Sequence, residues 1–99
     1  MILAKVVGTL VSTQKEQSMT GLKFLVLQQV DLSGQANGGF VVAADAVDAG
    51  VGEMVLYASG SSARQTVMTD KKPCDAVVMA IVDQWEVDGD TKYKKGQDD

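Results

Sequence analysis

Side chains with chemistry to offer are few in this chain, and they are scattered. Its 99 residues include no histidine, which removes both the commonest general base and the commonest metal ligand. The single cysteine, Cys74, stands between Pro73 and Asp75 with no histidine to take its proton. It is therefore expected to be a buried structural thiol and not a nucleophile. Asp45, Asp48 and Glu53 place three carboxylates around a glycine turn, a set able in principle to hold a hard cation. They lack the ligand spacing of a calcium loop and read as turn, cap or interface residues. Gly50-Val51-Gly52 is too short, and wrongly followed, for a dinucleotide fingerprint, and no βαβ unit is present to seat one. Gly60-Ser61-Ser62-Ala63-Arg64 has two readings. Small residues opening a helix beside an arginine can cradle an anion, but serine oxygens also cap a short helix whose arginine ends in a salt bridge. The second is favoured. This inventory points to no catalysis, no cofactor and no metal.

Charge narrows the partners. Nine lysines and arginines against thirteen aspartates and glutamates leave a net charge of −4, the wrong sign for gripping phosphate backbones non-specifically. The aromatic residues Phe24, Phe40, Tyr57, Trp85 and Tyr93 are scattered and do not form the base-stacking platform of a single-strand binder. The longest apolar run, Ala76 to Val82, is far below the roughly 18 residues of a membrane-spanning helix. One cysteine cannot form an internal disulfide, and the start of the chain carries Lys5 where a signal peptide would be apolar. A soluble protein of a reducing cytoplasm, binding neither nucleic acid nor membrane, is expected.

The elements that must position these residues read as strands. Ile2 to Thr13 is rich in β-branched residues, with apolar or small residues alternating at Ile2, Ala4, Val6, Gly8 and Leu10. Leu22 to Asp31, Phe40 to Ala44, Met54 to Ala58 and Asp75 to Val87 are the next four. Asp88-Gly89-Asp90 then turns the chain into a short return, Thr91 to Lys94. The glycines of Leu32 to Gly39 predict a turn, as does Asp45 to Glu53. Residues 1–95 form one domain and 96–99 a frayed tail. Five strands without a substantial amphipathic helix predict an all-β fold: a small five-stranded antiparallel Greek-key barrel, OB-like, with one short helix at Gly60 to Arg64. A thin two-layer sandwich is the alternative.

The last long strand is apolar on both faces. Ala76, Val78, Ala80 and Val82 share one, and Val77, Met79, Ile81 and Trp85 the other. A small barrel buries only one face of a strand, so the second needs a cover, and no other segment is apolar enough to be an obvious lid. Self-association is the expectation.

Several pieces of the chain resemble the pentameric vertex proteins of bacterial microcompartments, the ethanolamine-utilisation and carboxysome vertex family. They are Leu3-Ala4-Lys5-Val6-Val7-Gly8-Thr9 with Ser12-Thr13, Gly21-Leu22-Lys23, Ala49-Gly50 with Gly52-Glu53 and Val55-Leu56, Gly60 to Arg64, Pro73 with Asp75, and Ile81-Val82-Asp83. The resemblance covers about Met1 to Val87. It departs at Asp48, where the family pattern has glycine, and at Ala80, which replaces a common glycine. The resemblance implies a barrel assembling as a cyclic homopentamer at the five-fold corners of a cytoplasmic protein shell, beside hexameric shell proteins. An oligonucleotide-binding OB-like barrel is the competing function. Within the resemblance, Val77, Met79, Ile81 and Trp85 become candidate interface residues, with Glu53 and Arg64 as a polar pair fixing register. Ala49, Gly50 and Gly52, or Ser59, Gly60, Ser61 and Ser62, become candidates to line a narrow opening on the five-fold axis.

Overall fold

A computed structural model describes residues 1–11, 23–60 and 75–96. Among these residues there are seven strands: β1 (Ile2–Leu10), β2 (Phe24–Val30), β3 (Ala36–Asp45), β4 (Met54–Ser59), β5 (Ala76–Ile81), β6 (Gln84–Val87) and β7 (Asp90–Lys94). The first five close into a barrel in the order β1-β2-β3-β5-β4, and β6 and β7 form a separate hairpin. This is the expected Greek-key barrel, and closure excludes the sandwich. One pairing differs from the expectation of an antiparallel barrel: β3 and β5 run parallel, through Ala44 opposite Val77 and Asp45 opposite Val78.

The interior follows the two-residue period of a strand. Ala4, Val6, Leu25, Leu27, Ala43, Val55, Tyr57, Ala76 and Val78 form one buried cluster, joined by Ala49 from the β3–β4 loop. Tyr57, the largest of these side chains, has its hydroxyl satisfied by the Gln29 side-chain amide, which donates to it at 2.7 Å.

Two corrections to the sequence reading have the same cause, residues added to one strand of a pair, two in β3 and one in β5. First, β3 begins at Ala36 and not at Phe40. The turn is confined to 31–35, where the Asp31 carboxylate accepts from Ser33 N at 2.9 Å, Ser33 Oγ at 2.6 Å and Gln35 N at 3.1 Å. The glycines beyond it belong to the strand. Pairing jumps from Gln28–Phe40 to Val30–Ala36, and Gly38 occupies φ 96° where an added Cβ would collide with Gln29 Oε1. Second, the last long strand is two strands. Val55 pairs with Ile81, Leu56 with Ala80, and Tyr57 with Val78, leaving Met79 as an extra residue. Beyond it the faces exchange. Ile81 packs on the interior cluster, while Val77 and Met79 belong to a second cluster outside the barrel with Ala44, Ala58, Phe24 and Ala46. Ile81 therefore does not share a face with Val77, as simple alternation had required. After Val82, whose amide donates to Met54 O at 2.8 Å, the chain leaves the barrel and Trp85 lies on the hairpin.

That hairpin turns at Asp88 and Gly89, both at positive φ (53° and 79°), with Val87 opposite Asp90, as a two-residue turn of the type matching strand twist demands. The short helix expected at Gly60 to Arg64 lies outside the described residues beyond Gly60, as do Cys74 and 97–99.

Leu27 has no exposed surface, so Leu27→Ala is expected to cost about 2–5 kcal/mol. Thr91→Ala, on the exposed hairpin, should change stability by less than about 0.5 kcal/mol. Urea midpoints at one fixed protein concentration test both, since concentration would itself move the midpoint of an oligomer.

Candidate assembly surfaces

Buried carboxylates need partners, and Asp45, 2% exposed, finds its partners in backbone amides. It accepts from Val47 N at 3.1 Å and from Ala49 N at 3.2 and 3.1 Å. These bonds fold the chain sharply after β3 and draw Ala49 into the core. Asp48, between them, is held at φ 61°, a left-handed conformation that costs most side chains energy but that glycine adopts freely. The departure from the family glycine therefore has a local explanation: aspartate tolerates this region better than most residues, and its carboxylate accepts from Lys23 Nζ at 2.6 Å. That bond, with the attraction of the charges, lowers the Asp48 pKa and raises that of Lys23.

Glu53 ends the same loop. Its carboxylate accepts from Lys95 Nζ at 2.7 Å and from Gly50 N at 2.6 Å, and the lysine bond first, the amide second, hold its pKa below the ordinary value. Glu53 therefore ties the β3–β4 loop to the end of β7. The expected partner, Arg64, lies outside the described residues, and the described partner is Lys95. No motif marked Lys95; only its place in a basic run, Lys92 to Lys95, could have drawn attention.

The other predicted site residues are spread over the barrel. Gly50 and Gly52 are exposed beside Val51, itself 63% exposed, and Gly52 N donates to Val6 O at 2.8 Å. Ser59 and Gly60 sit at the far end of β4, with Gly60 N donating to Asp75 O at 2.9 Å. The two glycine and serine loops thus occupy opposite ends of a six-residue strand, roughly 17–20 Å apart, so one constriction can use only one of them. Ser61 and Ser62 lie outside the described residues. Val77 is completely buried within the chain and offers a neighbour no surface. Met79 and Ile81 are half-buried.

Trp85 is half-buried on the hairpin. Its ring stacks on Tyr93 with centroids 4.9 Å apart, and its Nε1 donates to Leu32 O at 2.7 Å. Between the hairpin and the outside of β1 and β4 runs a groove of about 840 Å3, lined by Ile2, Leu3, Leu32, Leu56, Trp85 and Val87 among others. A second uncovered apolar surface lies on the outside of β1, β2 and β3. Gly8, Val26 and Val42 stand opposite one another, as do Leu10 and Phe24, and Phe40 stands one step further along the same face. Phe40 is 68% exposed and Val42 48%. Sequence reading passed over both surfaces because their residues come from distant strands, and scattered exposed apolar residues are ordinary in any one strand. Among the described residues no group of three or more His, Cys, Asp or Glu is placed to hold a metal.

Residues 1–83 match the family described as ethanolamine utilisation protein EutN/carboxysome. The carboxysome shell vertex protein CcmL of Gloeobacter violaceus is 50% identical over 95 residues, 96% of this chain and 95% of that protein. The microcompartment shell vertex protein EutN of Salmonella typhimurium is 39% identical over 95 residues, 96% of each. The solved structure of Gloeobacter violaceus CcmL superposes with a TM-score of 0.91 at 49% identity, covering 96% of this chain and 98% of that one. The GrpN pentameric microcompartment shell protein from Rhodospirillum rubrum superposes at 0.80 with 42% identity, covering 88% and 99%.

A depressed carboxylate pKa stabilises the fold above the group's unfolded value, near 4.5 for Glu53, and that contribution is lost as pH falls through the lower folded value. Glu53→Gln should therefore melt lower than the parent near neutrality and converge on it in acid, as a pH series of thermal scans would read. At position 48 the expected order of melting temperature is Gly at or above Asp, and Asp above Ala, because only alanine has both the strained φ and no ion pair.

Proposed function

The chain belongs to the EutN/CcmL family of ethanolamine-utilisation and carboxysome proteins, and from that premise we propose that it is a vertex subunit of a bacterial microcompartment shell. Five copies close into a ring that caps a five-fold corner of the shell, in the cytoplasm, where hexameric shell proteins tile the flat facets around it. The role is structural and not catalytic. The observation that carries it is likeness over almost the whole length, in both sequence and backbone, to proteins with that task. Among the relatives compared above, the carboxysome member stands nearer than the ethanolamine member, and a carboxysome is the compartment favoured.

Physical features support the reading. A barrel of this size buries a modest core and leaves apolar grooves and faces uncovered, as a subunit completed by its neighbours would. An oligonucleotide-binding role has only the barrel in its favour, and fold does not fix function. Tyr57 is buried, and Trp85 and Tyr93 stack on each other, so these three rings are already engaged within the chain.

Native mass spectrometry of the purified chain at micromolar concentration is expected to give a mass of five 10.5 kDa chains. A monomer or dimer would overturn the ring. Co-expression with a hexameric shell protein should give closed polyhedral particles by electron microscopy, and open sheets or tubes without this chain.

A further inference from the structure

Asparagine followed by glycine is chemically unstable wherever the chain can bend there. The glycine nitrogen can attack the asparagine side chain, and a glycine carries nothing to stand in the way. The sequence holds one asparagine, Asn37, and Gly38 follows it. In a regular strand the ladder would prevent the bend, but here the ladder is interrupted. Between the pairs Gln28–Phe40 and Val30–Ala36, the three residues Asn37, Gly38 and Gly39 stand opposite Gln29 alone, so no register partner holds the Asn37–Gly38 peptide in place. Asn37 is exposed, and among the described residues its side-chain amide makes no hydrogen bond.

The same bulge dictates the glycine. Gly38 sits at φ 96°, and a Cβ there would collide with Gln29 Oε1, so the fold requires at position 38 the one residue that leaves its nitrogen unhindered. The Gln28 side-chain amide donates to Gly38 O at 3.2 Å and to Gly39 O at 3.3 Å. It braces the carbonyls that follow the Asn37–Gly38 peptide and leaves the Asn37 side chain unheld.

We propose that Asn37 is a self-modification site, converting in the folded chain to aspartate and isoaspartate through a cyclic imide with Gly38. The Gly38 nitrogen gives up its proton and bonds to Asn37 Cγ; the Cγ–Nδ2 bond breaks, and ammonia leaves with that proton. Water then opens the imide at one of its two carbonyls. Attack at Cγ restores the original main chain with an aspartate. Attack at the main-chain carbonyl routes the chain through Cβ and Cγ and leaves isoaspartate. Either product makes the net charge of −4 one unit more negative, three residues before the exposed Phe40. Isoaspartate lengthens the main chain by one carbon where β3 already carries two extra residues, so the flanking pairs are kept. The assignment is independent of the vertex-ring reading.

The test incubates the purified full-length chain at mildly alkaline pH beside a synthetic peptide of residues 34–41, with circular dichroism to follow the fold and peptide mapping by mass spectrometry to locate the product. The amide-to-acid mass shift should appear at Asn37 at a rate within about tenfold of the free peptide's, as for a segment that the native structure does not protect. Isoaspartate should exceed aspartate, read by methylation with an isoaspartate-specific carboxyl methyltransferase. Asp88-Gly89 can isomerise through the same kind of imide, but without a mass shift, so mapping separates the two. Asn37→Gln, whose longer side chain must close a six-membered ring, should keep the strand spectrum and lose the shift. Asn37→Asp should keep the strand spectrum and melt as cooperatively as the parent. A folded chain that converts more slowly than the stated range overturns the proposal, as does a product of aspartate alone, because direct hydrolysis yields no isoaspartate. An Asn37→Asp chain without the strand spectrum would overturn the survival of the flanking pairs.

Discussion

Barrel closure depends on a short parallel seam. Four of the five contacts between barrel strands are antiparallel and follow from hairpins or returning connections, but β3 and β5 meet only through Ala44 with Val77 and Asp45 with Val78. Without that seam β3 would be a free edge. The same residues do more than join strands. Ala44 and Val77 anchor the outer cluster, and Asp45 gathers the amides that start the loop toward β4. Closure, the outer cluster and the position of the Glu53 loop are therefore one arrangement, and a change at the seam reaches all three.

Once closed, the barrel has filled its interior mainly with small and branched side chains, and among the described residues much of its outside stays uncovered beyond the small cluster around Val77. That imbalance is physical and comes from size: a short chain has too much surface for the core it can make. In an enzyme the uncovered surface is usually a cleft with converging polar groups. Here the groove is apolar and its fixed polar group, the Trp85 N–H, is already satisfied by Leu32.

Much of the fold was legible. The alternation of Ile2 to Leu10 and the Asp88-Gly89 turn marked their elements because one strand with one buried face, and one turn needing two positive φ angles, leave direct patterns. What could not be read was where a strand gains a residue. Gly38 and Gly39 carry a turn composition, and only the Asp31 carboxylate, which gathers the turn four residues earlier, shows that they lie in a strand. Met79 is apolar like its neighbours, so nothing in the pattern warns that the faces exchange there and send Ile81 inward. The candidate interface was inferred from that alternation and carried the same error. Asp48 was noticed as a departure, but its φ of 61° and its lysine partner 25 positions away are tertiary facts.

The hairpin outside the barrel carries the chain's one tryptophan, which lines a groove open to solvent. Indole emission depends on the polarity around the ring, and no second indole exists to dilute the signal. The molecule thus contains an optical gauge of a single surface, dark to events in the core and sensitive to whatever displaces water from beside Trp85.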